Sequence, residues 1–389
     1  MTSTSWPSRL TVVKIGGSLL GSAADLHRAA AAIVERRRHG GPILVVASAL
    51  KGVTDLLDQA ADEALNPQNG HLGKIFGDLR QRHIEITRDD DALDRIREAL
   101  DEVETLVASI RARGELPDPV YARLLSSGER LSVILLAAAI RAAGHEAQPV
   151  AAEEAGLRAA GSPRSGSCDI PASAPSLQRM RPRLQDRVLV LTGFYGIGGD
   201  GSVVLFGRGG SDNTACAVAA GLDADRLELW KDVPGFMSAD PREVRGARVV
   251  QEISFDEADQ LGAYGSRIVN HGCLEPLRGR AIQVLVSSVP GHGSDSGTLL
   301  LERLQRDATR VVALASRRGN NGTPALVGAV GDGVAGDPAI RSRMLSCLAE
   351  AGARGDLVPQ PSGRSGLSCA VHPDDLAPAL SGLHENFFA

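Results

Sequence analysis

Lysine is nearly missing from this chain of 389 residues: of 42 basic side chains only Lys14, Lys51, Lys74 and Lys231 are lysine, the rest being arginine. Positive charge is therefore written as guanidinium, and a position that keeps an ammonium is a position where a compact, strongly hydrated cation matters. Basic charge is not in excess either. The formal net charge is −5, which gives no case for nucleic acid as a partner. Cysteine is limited to Cys168, Cys216, Cys273, Cys347 and Cys369, with no Cys-x-x-Cys pair. That excludes a zinc ribbon and points to a reducing cytoplasm with no structural metal. No apolar run has bilayer length, and the opening MTSTSWPSRL has no apolar core of signal-peptide length, so no membrane partner is expected. The length and the 43% hydrophobic content leave a globular protein of two or three domains.

What is present is organised around Leu205 to Ala239. A glycine-rich turn, Gly207-Arg208-Gly209-Gly210-Ser211-Asp212, leads into a small-residue helix over Thr214 to Gly221. A short strand over Arg226 to Trp230 then ends at Lys231-Asp232. Strand, glycine turn, helix and strand make an α/β unit whose helix N-terminus can hold an anion, and Arg208 offers a planar fork for a carboxylate or phosphate. Near the N-terminus a strand over Leu10 to Ile15 runs into Lys14-Ile15-Gly16-Gly17-Ser18, a backbone cradle with an ammonium at its mouth. It lacks the spacing of a Walker A loop. Ser48, Lys51, Gly52 and Thr54 follow the strand Ile43 to Ala47, at the strand end where open α/β sheets bind ligands. Leu56 to Gly114 reads as helical hairpins, with a solvated break at Asp89-Asp90-Asp91. A helix is predicted to begin at Ser126, placing Glu129 in its first turn, where a carboxylate suits the dipole. Val188 to Thr192 is the next strand, followed by Gly193-Phe194-Tyr195-Gly196. Strands alternating with helices predict an α/β fold with a mainly parallel sheet.

The segments VVKIGGSLL, VVASALKGVTDLL, LLSSGERLS, LTGFYG, FGRGGSDNTA, LWKDVPGFMSADPR and GTLL, in this order over residues 10 to 300, resemble the aspartate kinases of the amino-acid kinase family. The resemblance implies a three-layer catalytic domain over 1–300, with aspartate bound by about 1–200 and ATP by about 201–300. It implies phosphorylation of the side-chain carboxylate of L-aspartate by ATP, with Mg²⁺ arriving on the nucleotide, as the first step of aspartate-family amino-acid biosynthesis. Lys14 then stabilises the transferring phosphoryl group, Asp212 orients Lys14, and Gly16, Gly17 and Ser18 line the phosphate cradle. Ser48, Thr54, Glu129, Phe194, Arg208 and Ser211 surround the amino acid, with Arg208 on its carboxylate and Glu129 on its ammonium. Lys231, Asp232, Met237, Arg242 and Arg267 face the nucleotide.

Departures from the family pattern sharpen two of these expectations. The family usually has Thr at 231, Tyr at 237, Lys at 267 and His-Pro-Arg at 270 to 272, where this chain has Lys231, Met237, Arg267 and Asn270-His271-Gly272. Lys231 is read as restoring, near the phosphates, the ammonium that Arg267 no longer supplies. After a charged linker at 301–310, residues 311–389 have room for a single ACT-like domain where the family usually carries two. A turn at Ala353-Arg354-Gly355-Asp356 stands where relatives bind their effector. A homodimer through this domain, with weak or no end-product inhibition, is the expectation. Other readings are an acyl-phosphate-forming kinase for a related amino acid and a non-catalytic regulatory subunit on the same fold.

Overall fold

Five short, largely apolar strands build the sheet that positions the site: β1 (Thr11–Ile15), β2 (Ile43–Ala47), β3 (Ala147–Val150), β4 (Val188–Thr192) and β5 (Arg226–Trp230). They are parallel throughout, in the order β5-β1-β2-β4-β3. β1, β2 and β4 are buried at every residue, so both faces are covered, and this is why they read as unbroken Val/Ile/Leu runs rather than alternating ones. The computed structural model describes residues 10–66, 70–266, 268–290, 297–304, 308–319, 323–359 and 365–388. The chain divides into two compact units, one running to Asp232 and taking in Arg280–Ile282, the other holding Val233–Gly279, Gln283–Ser288 and the C-terminal residues.

In the first unit the helices are α1 (Ala23–Gly40), α2 (Val53–Leu65), α3 (Leu72–Ile84), α4 (Asp90–Arg113), α5 (Asp118–Ala142) and α6 (Gly210–Gly221). Asp89, expected in a solvated break, caps α4 by accepting from the Ala92 amide and pairs with Arg141 at 2.7 Å. One prediction fails here. α5 starts at Asp118, just after Pro117, so Glu129 lies deep inside the helix and not in its first turn. Ser126, Ser127 and Gly128 look like a helix start because they are poor helix formers. Gly128 is instead a packing residue: a Cβ there would stand 2.9 Å from that of Ala49.

In the second unit β6 (Glu252–Ser254), β7 (Gln283–Ser287) and β8 (Gly297–Leu301) take the order β6-β8-β7, with β8 parallel to β6 and antiparallel to β7. α7 (Phe255–Ala263) opens with a full capping box of Ser254 and Glu257. The C-terminal domain has β9 (Ala313–Arg317), β10 (Ala325–Val330), β11 (Gly355–Val358) and β12 (Gly366–Val371) in an antiparallel sheet ordered β9-β10-β12-β11. α8 (Pro338–Glu350) and α9 (Leu376–Phe388) accompany it over a core that includes Val327, Met344, Leu348, Cys369 and Leu383. Compared with a β-α-β-β-α-β unit, the edge strand β9 comes first in the chain. β11 corrects a second expectation. Gly355 and Asp356 open a strand and are not part of a turn. Their glycine and polar character is tolerated because β11 is an edge strand with a half-solvated surface. The fold is α/β, three-layered around a mainly parallel sheet, with a small C-terminal α+β domain.

Candidate active site

Parallel pairing sets the site. The register places Lys14 beside Val46 of β2 and Leu229 of β5, so the carboxyl ends of three adjacent strands open along one edge. Lys14, Ser48 and Lys231 all lie at that edge, the ligand side of an open α/β sheet. The Ser48 amide donates to the Ile15 carbonyl at 3.2 Å, and Ser132 from α5 donates its hydroxyl to the Ser48 carbonyl at 2.6 Å.

Asp212, in the first turn of α6, joins the two lysines. Lys14 Nζ lies 2.9 Å from Oδ1 and Lys231 Nζ 2.7 Å from Oδ2. The side chains are 7%, 11% and 4% exposed for Lys14, Lys231 and Asp212, so the bridge is almost dry. Burial by itself would raise the Asp212 pKa; the charges of Lys14 and Lys231 outweigh it and hold the carboxyl below its ordinary range. Two ammoniums against one carboxylate leave a fixed local charge of one sign where water is excluded. That arrangement stabilises negative charge developing on a ligand without reorganising to do so.

Glu129 lies close enough to Lys14 to feel its charge. Its Oε1 accepts from the Ala49 amide at 3.1 Å, while Oε2 is buried with no hydrogen-bond partner. Removal from water pushes its pKa up to about 8, against the Ala49 hydrogen bond and the charge of Lys14, which pull it down. A buried carboxylate oxygen left without a donor is matched to a cation that brings N–H groups of its own.

Gly16, Gly17 and Ser18 come to the same place. A Cβ on Gly17 would sit 2.6 Å from the Ala49 carbonyl, so only glycine allows this approach, and one on Gly16 would lie 3.5 Å from Lys14 Nζ. Phe194 and Ser211 are also neighbours of the turn before α6. A Cβ on Gly210 would meet the Phe194 ring at 2.9 Å, and one on Gly193 would meet Ser211 Cβ at 2.7 Å. Phe194 holds φ at +74°, a costly conformation for an aromatic residue, and its amide donates to Thr214 Oγ1 at 3.0 Å. Thr214, Ser132 and the Ala49 amide are supports that sequence reasoning missed. The only signal for Thr214 is a hydroxyl at the start of the small, apolar stretch that completes α6.

The other predicted residues lie on other segments of the chain. Thr54 lies half-buried in the first turn of α2, and Asp232 is exposed. Arg208 is exposed on the loop before α6 and makes no ion pair among the described residues. Met237 and Arg242 belong to the second unit. Met237 bridges to Val249, and Arg242 is 87% exposed and paired with Asp240 at 2.6 Å. Arg267 lies outside the described residues. The unusual Asn270-His271-Gly272 segment is fastened to α7, with His271 Nδ1 2.7 Å and the Gly272 amide 2.6 Å from the Asp259 carboxylate. Among the described residues no group of three or more His, Cys, Asp and Glu could hold a metal ion, and no helix is long and apolar enough to cross a membrane.

Fold and site together define a parallel α/β protein with an anion-stabilising pair of ammoniums at its strand ends. Residues 9–288 match the model of the amino acid kinase family, and residues 327–387 match an ACT domain. The chain belongs to the amino acid kinase family. Over 294 residues it is 31% identical to the aspartokinase of Mycolicibacterium smegmatis and 32% identical to that of Corynebacterium glutamicum, covering 75% of this chain and 57% of each relative. The chain thus spans a little over half the length of these curated relatives. Among solved structures, aspartokinase III of E. coli in complex with aspartate and ADP superposes with a TM-score of 0.83 at 22% identity, covering 98% of this chain and all of that one. The aspartate kinase of Clostridium acetobutylicum gives 0.75 at 20% identity, covering 97% and 100%.

Proposed function

We propose that this chain transfers the γ-phosphoryl group of ATP to the side-chain carboxylate of L-aspartate, forming 4-phospho-L-aspartate and ADP. The observation that carries this reading is the dry Lys14–Asp212–Lys231 bridge at the strand ends, beside a buried glutamate with an unused oxygen. Support also comes from the curated relatives named aspartokinase and from the E. coli neighbour that binds aspartate and ADP.

A side-chain carboxylate is ionised at neutral pH and needs no general base. One of its oxygens attacks the γ-phosphorus, the bond to the bridging oxygen breaks, and that electron pair leaves on ADP; no proton moves. Catalysis is then positioning and charge stabilisation. Lys14 meets the transferring group, Asp212 fixes the direction of both ammoniums, and Lys231 adds the second cation. Gly16, Gly17 and Ser18 offer backbone N–H groups to the phosphates. Glu129 takes the α-ammonium on Oε2, Arg208 takes the α-carboxylate as a bidentate pair, and Ser48, Thr54, Phe194 and Ser211 shape the remaining pocket. Asp232 faces the nucleotide; the assignments of Met237, Arg242 and Arg267 to it rest on the family resemblance alone. Mg²⁺ would come with the nucleotide and would supply neutralisation of phosphate charge. Both oxygens of Asp212 are already ion-paired, and no protein ligand for the metal is assigned.

The same reading places the protein in the cytoplasm as a homodimer through its C-terminal domain. The half-solvated edge strand β11 supports this, since it carries Leu357, the exposed large apolar side chain among the described residues. The test of the activity is hydroxylamine trapping with Mg-ATP and a panel of amino acids. Aspartyl hydroxamate formed with L-aspartate alone is the expected result; trapping of a different acid, or none, overturns the substrate assignment.

A further inference from the structure

A cavity of about 410 Å³ lies in the second unit, walled by the segment Arg248–Glu252, by Thr309–Val312 ahead of β9, by α8, and by the end of α9. This is within the ~300–1,000 Å³ of small-molecule sites. Its lining mixes apolar side chains (Val311, Ile340, Phe387, Phe388) with three arginines, Arg248, Arg310 and Arg343, against the single carboxylate of Glu252. Several other arginines are locked to carboxylates, as Arg36 is to Glu228 and Arg141 to Asp89. These three are not. Arg248 lies over the Phe388 ring at 6.0 Å, Arg343 lies over the Phe387 ring at 4.6 Å and donates to the neutral Asn386, and Arg310 has no ion pair among the described residues. Asn386 and the Phe387 ring hold the Arg343 guanidinium in place, while those of Arg248 and Arg310 have no ion pair among the described residues and can receive an oxyanion.

The floor of the cavity leads to the segment that carries Met237. Ser238 lines the cavity, accepts the Arg248 amide on its hydroxyl at 3.0 Å, and lies 2.9 Å from His384 Nε2. The His384 ring stacks on Phe388 with centroids 4.8 Å apart. An occupant that moves Phe388 therefore moves His384 and Ser238, one residue from Met237.

We propose that this cavity is a second ligand site, taking a small organic oxyanion with an apolar body, a carboxylate or a phosphate monoester, and that its occupancy tunes nucleotide affinity through Ser238. The second half rests on the assignment of Met237 to the nucleotide; the first half does not. The experiment is calorimetry on the full chain with phenylpyruvate, 4-methyl-2-oxopentanoate, phenyl phosphate and phosphoenolpyruvate, and with acetate and inorganic phosphate as probes without an apolar body. Saturable binding of at least one of the four organic probes is expected, with acetate and inorganic phosphate binding more weakly. The carboxylate and phosphate arms tell the two sources apart. Arg310→Ala and Arg343→Ala, both at exposed positions, should each weaken binding about tenfold. Absence of binding by every organic probe, or equal binding in the double variant, overturns the site. Binding that persists in Ser238→Ala while the effect of the probe on the KM for ATP disappears is the expected signature of the coupling. A bound probe that leaves that KM unmoved in the parent protein overturns the coupling and leaves the site standing.

Discussion

The two cationic regions of this molecule handle charge in opposite ways. At the strand ends of the first unit, two lysines share one buried carboxylate, oxygen by oxygen, in a site nearly closed to water. In the cavity of the second unit, three exposed arginines, two of them over phenylalanine rings, line the wall with one carboxylate among them. The first arrangement is preorganised: its cations are already oriented and desolvated, which suits stabilisation of charge that develops during a reaction. The second is solvated, with more cations than anions in its lining, which suits reversible capture of an anion from solution. The difference teaches that burial and ion pairing fix a cation's direction, whereas exposure leaves it open to exchange with solvent.

The comparison breaks first at Lys14. Lys14→Ala removes the ammonium assigned to the transferring group, and kcat in the hydroxylamine assay should fall by about 10³-fold, as when a preorganised donor is lost. Asp212→Asn leaves two buried ammoniums without their anion. It should cost about 3–5 kcal/mol of stability, read by denaturant unfolding, and lower kcat as well. The pH dependence follows from the depressed Asp212 pKa: its stabilisation is complete above the unfolded value of about 3.9 and is lost as pH falls through the lower, folded value. The asparagine variant should lack this acid limb.

Glu129→Gln sharpens the account on the opposite charge. The folded pKa is raised to about 8 from an unfolded value near 4.3, so ionised Glu129 destabilises the empty protein progressively from about pH 4 and fully above pH 8. Stability of the glutamine variant relative to the parent should therefore rise with pH over that window. An α-ammonium demands the ionised form, so the KM for L-aspartate should improve toward pH 8 in the parent. In the variant it should be flat and about 10²-fold higher. Lys231→Thr should raise the KM for ATP and lower kcat by about tenfold in all, the worth of a second charge-assisted contact; unchanged constants would remove Lys231 from the phosphate site. The smallest catalytic effect belongs to Leu357→Lys, which should shift a dimer toward monomer in light scattering while leaving kcat within about twofold.

Much of this was legible in the sequence, for identifiable reasons. β1, β2 and β4 are buried on both faces, so their apolar runs admitted one reading. The scarcity of lysine singled out Lys14 and Lys231 before any geometry was known. What the pattern could not convey was that both lysines meet on Asp212, because residues 14, 212 and 231 are brought together only by parallel pairing of β1 with β5 and by the packing of α6. Glu129 was expected in the first turn of a helix and lies deep inside one. Small residues that serve close packing against Ala49 look, in a sequence, like a helix start. β11 was hidden for a related reason: an edge strand with one neighbour need not be apolar on both faces.

The most direct test of the central claim is phosphorus NMR of the purified chain with Mg-ATP and L-aspartate. The account predicts an acyl-phosphate resonance that grows as the γ-phosphate resonance falls, one for one with ADP, and that is absent without L-aspartate and in Lys14→Ala. Release of inorganic phosphate with no acyl-phosphate signal, or an undiminished signal in Lys14→Ala, would contradict it.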